Sequence, residues 1–148
     1  MTGKADFTEG DWETVLEGPP AAGMIVVTAQ RGGTFRETFA IAKTYVEARK
    51  QHGDSELLDE IVSAKPEIDR TRYHSAEEFK EHGLQHLRDA VALLERTATP
   101  EELDDYKRFV LNVADNVAKA HRESGDNVSP DERAAIESIA ASLGTPAR

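Results

Sequence analysis

Apolar positions along the chain recur at three- and four-residue intervals, and these stripes fall between polar segments rich in glycine, proline and hydroxyl residues. Such spacing places the apolar side chains on one face of a helix. Phe35, Phe39, Ala42 and Val46 make one stripe; Leu57, Leu58, Ile61 and Val62 a second; Leu84, Leu87, Val91 and Leu94 a third. Leu103, Tyr106, Val110, Val113 and Val117 form the longest, and Ala135, Ile136, Ile139 and Leu143 the last, opposite Asp131, Arg133 and Glu137. The polar segments supply the starts. In Ser/Thr-x-x-Glu the hydroxyl accepts from a first-turn N–H while the glutamate reaches back to the N–H of the cap. The pattern occurs at Thr34–Glu37, Ser75–Glu78, Thr99–Glu102 and Ser129–Glu132, the last two with proline at the first helical position. Thr8–Asp11 is a variant with aspartate, and Asp54 is a plain cap. Stops are read at Gly53, Pro66, Gly125 and Gly144.

The run Met24-Ile25-Val26-Val27 has the β-branched content of a buried strand. A strand needs partners, and no second segment combines that content with strand length and turn signals. Residues Ala21 to Gln30 are therefore expected to form a helix, apolar all round and central. Pro19 and Pro20 are expected to end the preceding helix and open this one, with a tight corner at Gly18-Pro19-Pro20. The stretch Pro66 to His74 reads as a loop or a short helix. The expectation is an all-α, single-domain bundle of about seven helices over residues 1–148, with no β-sheet.

The first and last capping boxes align without a gap: Thr34, Glu37, Ala40 and Ile41 fall on Ser129, Glu132, Ala135 and Ile136. Upstream, Val26 and Ala29 match Val117 and Ala120, each pair leading into a glycine-containing loop. A helix–loop–helix unit used twice would give the bundle two related halves. With this repeat in hand, the chain resembles the TerB-like tellurite-resistance family, through Phe7-Thr8-Glu9-Gly10-Asp11-Trp12, the apolar helix ending Thr28-Ala29-Gln30, the helix at Glu37, and Val128-Ser129-Pro130-Asp131-Glu132 with Ile136, Ile139, Leu143 and Gly144. The resemblance implies an internally repeated helical bundle in a bacterial stress-response setting. The chain departs from the family's Ala-Asp-Gly turns, having Ala29-Gln30-Arg31-Gly32 in one copy and Ala120-His121-Arg122 in the other.

Composition narrows the function classes. With a net charge of −10 and dispersed basic residues, the molecular field repels phosphate backbones, so nucleic acid is not an expected partner. The absence of cysteine removes disulfides and thiolate metal sites. The first eleven residues hold no signal-peptide core and no window approaches a membrane span, so the expected location is the cytoplasm. There is no Gly-x-Ser-x-Gly elbow, phosphate-binding glycine loop or His-Glu-x-x-His motif. Trp12, Tyr45, Tyr73 and Tyr106 are read as core or core-edge residues in preference to an aromatic cage. Gly32-Gly33-Thr34 is read as a connector in preference to an anion site.

Metal chemistry has few candidates. His82 and His86 are four residues apart on one helix, with Glu78 a turn earlier, but His86 falls beside the apolar stripe and His82 on the polar side. In the second loop, Asp126 and Asp131, with His121, are the remaining candidates for the missing loop acids, and the bland reading is that Asp131 supports a helix dipole. No cofactor is expected, and calcium binding is expected to be weak or absent. The leading expectation is a non-catalytic binding or scaffolding module acting on a protein partner, with self-association left open. A divalent-metal-binding protein and a small enzyme with an unrecognised site are the rivals. Function would lie on a surface where the two halves meet, lined by the helices beginning at Thr34 and Ser129.

Overall fold

The computed structural model describes residues 4–29, 35–50, 56–63, 76–123 and 130–144, without the side chains of residues 4, 28, 29, 35–39, 56, 76, 121–123, 131 and 132. After a 3-10 turn at Lys4–Asp6, the described residues form six α-helices: α1 (Glu9–Ala29), α2 (Phe35–Lys50), α3 (Glu56–Ser63), α4 (Ala76–Thr97), α5 (Pro100–Glu123) and α6 (Pro130–Leu143). No strand occurs among the described residues. Met24, Ile25, Val26 and Val27 are all buried in the second half of α1, as an apolar-all-round central helix requires. α1 packs chiefly on α4 and α5, α2 lies on α5, and α6 rests on α4, α1 and α5. One contiguous cluster of buried side chains draws on all six helices.

Among the described residues one feature of the sequence expectation is corrected. Gly18-Pro19-Pro20 is not a corner, because α1 runs unbroken through it. Each interior proline removes a donor and crowds the carbonyl four residues back, at Val15 and Leu16. Tertiary packing meets part of that cost: the Tyr106 hydroxyl on α5 donates to the Val15 carbonyl at 2.8 Å. Gly18 makes room for it, since a Cβ there would lie 2.1 Å from the Tyr106 oxygen. One residue earlier, the Thr14 carbonyl is 3.0 Å from His86 Nε2 on α4. A carbonyl only accepts, so Nε2 carries the proton in this bond.

The helix ends follow their local chemistry. The Thr8 hydroxyl accepts from the Asp11 N–H at 3.1 Å. Phe7, before that cap, packs on Trp12 with ring centroids 5.4 Å apart, the geometry of a hydrophobic staple. At α5 the capping box is complete, with Glu102 N–H donating to Thr99 Oγ1 at 3.2 Å and Thr99 N–H to Glu102 Oε1 at 3.0 Å. That reciprocity accounts for the burial of Glu102. Gly144 ends α6 with φ at 73°, the left-handed region that a helix C-terminus favours glycine for. The caps at Thr34, Asp54, Ser75 and Ser129, the stops at Gly53, Pro66 and Gly125, and the stretch 66–74 lie outside the described residues.

Helix α2 turns a different face inward from the one its spacing predicts. Ala42 is exposed and Val46 is 44% exposed, whereas Ala40, Ile41, Thr44 and Tyr45 are buried. The inward turn of Thr44 is compatible with burial because its hydroxyl donates to the Ala40 carbonyl at 2.8 Å and accepts from Asn116 Nδ2 at 2.8 Å.

Candidate functional site

A groove of about 250 Å³ opens between α2, α3 and α5. Helix periodicity lays a single stripe of α5 along it, Asp105, Arg108, Phe109, Asn112 and Asn116, at intervals of three and four residues. α2 faces that stripe with Thr44, Glu47 and Ala48, and α3 adds Leu58 and Asp59. Phe109 and the half-buried Ala48 and Leu58 provide apolar wall. Behind Phe109 the Tyr45 ring packs edge-on at a centroid distance of 5.1 Å. α3 is held in place by Arg49 of α2, whose Nε–H donates to the Val62 carbonyl in the last turn of α3, where cationic groups complement the helix dipole.

The polar lining is partly committed. Arg108 Nη2 lies 3.1 Å from Asp105 Oδ1 one turn away, a surface pair that neutralises the guanidinium without burying it. The Thr44 hydroxyl has one proton and spends it on the Ala40 carbonyl, so the Asn116 group facing it must be the N–H₂ end. Among the described residues the side chains of Glu47 and Asn112 have no hydrogen-bond or ion-pair partner.

Two buried phenols flank this region in the core. Burial pushes the Tyr45 hydroxyl far above its ordinary value, with the nearby Arg49 charge working in the opposite direction. Tyr106 is pushed up by complete burial and, secondarily, by Tyr45. The two differ in satisfaction: Tyr106 has the Val15 carbonyl, whereas the Tyr45 oxygen has no hydrogen-bond partner among the described residues.

Of the sequence-derived metal candidates His82, His86, His121, Asp126 and Asp131, the described side chains are those of His82 and His86. His82 is exposed on α4. His86 is half-buried, bonded to the Thr14 carbonyl and 3.3 Å from Glu17 Oε2. Among the described residues no group of three or more histidines and carboxylates is placed to hold a metal ion. His121, Asp126 and Asp131 lie outside the described side chains. Sequence reasoning singled out none of the groove residues as a site. The signal available was the polar pair Asn112 and Asn116 beside the buried stripe of α5, a spacing that a solvated helix edge shows equally. No family model matches the chain, no curated protein matches it, and no solved structure matches it. Among the described residues no helix is long and apolar enough to cross a membrane.

Proposed function

We propose that this protein is a non-catalytic binding or scaffolding module of the TerB-like kind, serving a bacterial stress response, and that its groove between α2, α3 and α5 is the binding surface. The observation carrying this reading is the groove itself, where Glu47 and Asn112, whose side chains have no partner among the described residues, stand over an apolar wall of Phe109, Ala48 and Leu58. Convergent polar groups on an apolar lining are the usual composition of a ligand site. The groove joins α2 of the first proposed half to α5 of the second, so it lies at the meeting of the halves; α3, rather than α6, completes it.

The proposed repeat has support in the packing. Under the Val26-to-Val117 alignment α1 corresponds to α5 and α2 to α6, and each central helix packs on the second helix of the other unit, α5 on α2 and α1 on α6. Ala40 and Ala135, equivalent in the alignment, are both buried. The test of the binding role uses the tagged full chain as bait in extract of its native host, beside an Asn112→Trp chain that fills the groove from an exposed position. Proteins retained by the parent and lost by the variant support the role. Retention equal in both, with both chains folded, rejects the groove as the binding surface.

A further inference from the structure

We draw no further inference here: the strongest candidate, the mixed polar lining of the groove between α2, α3 and α5, belongs to the binding surface already proposed, and nothing in the structure shows which ligand covers it.

Discussion

Loss of a buried phenol oxygen should act in opposite directions at the two core tyrosines. Tyr106→Phe strips the Val15 carbonyl of its donor beside Pro19, and an orphaned buried acceptor costs about 1–3 kcal/mol. Tyr45→Phe removes an oxygen that has no partner among the described residues, so urea melts should find it neutral or stabilising; equal losses in both would show that the Tyr45 hydroxyl is satisfied in solution. The same burial sets an alkaline limit. In both residues the folded state holds the phenol proton above its ordinary value, so their stabilising contribution is complete below the unfolded value and is lost as pH rises past it. Urea midpoints should therefore hold steady to about pH 9 and fall steeply by about pH 11, where unfolded tyrosine ionises near 10. The doubly substituted Tyr45→Phe, Tyr106→Phe chain should fall less over that interval, and an identical decline would assign the alkaline loss to other groups.

Among the elements, helix starts were readable because a cap is local chemistry. At α5 the threonine, the glutamate three residues on and the buried stripe of Leu103, Tyr106, Val110, Val113 and Val117 all stand as the spacing predicts. Thr99→Ala should cost about 0.5–2 kcal/mol in denaturant melts, the usual loss of an N-cap; an unchanged midpoint would deny the box a role in stability. Two features were not readable for a physical reason. The Pro19-Pro20 pair is a helix breaker by every local rule, and the hydroxyl that meets the freed Val15 carbonyl comes from Tyr106, far along the chain on α5. Helix α2 has apolar residues on several sides, Ala40, Ile41, Ala42, Tyr45, Val46 and Ala48, so more than one stripe fits its spacing. The choice is made by Thr44, a polar residue turned inward to meet Asn116, which a rule assigning polar residues to solvent places on the wrong face.

For the whole molecule, the all-α class and the central apolar helix followed from periodicity and from the lack of any second strand-like segment to pair with residues 24–27. The groove was not legible, because it exists only where α2, α3 and α5 meet and its residues come from three separate stretches. Metal binding offers a separate check on the class of protein. Low-salt calorimetry should find no calcium site of micromolar affinity, since Gln30, Arg31, His121 and Arg122 stand at the sequence positions where the resemblance calls for acids. Micromolar calcium binding abolished by Asp126→Asn or Asp131→Asn would place the protein among metal binders instead. The central claim, that function resides in the α2–α3–α5 groove, is tested most directly by the footprint of a captured partner on backbone amide exchange of the full chain. The account predicts slowed exchange around Glu47, Leu58, Asp59, Phe109 and Asn112, whereas protection confined to the outer faces of α4 and α6 would contradict it.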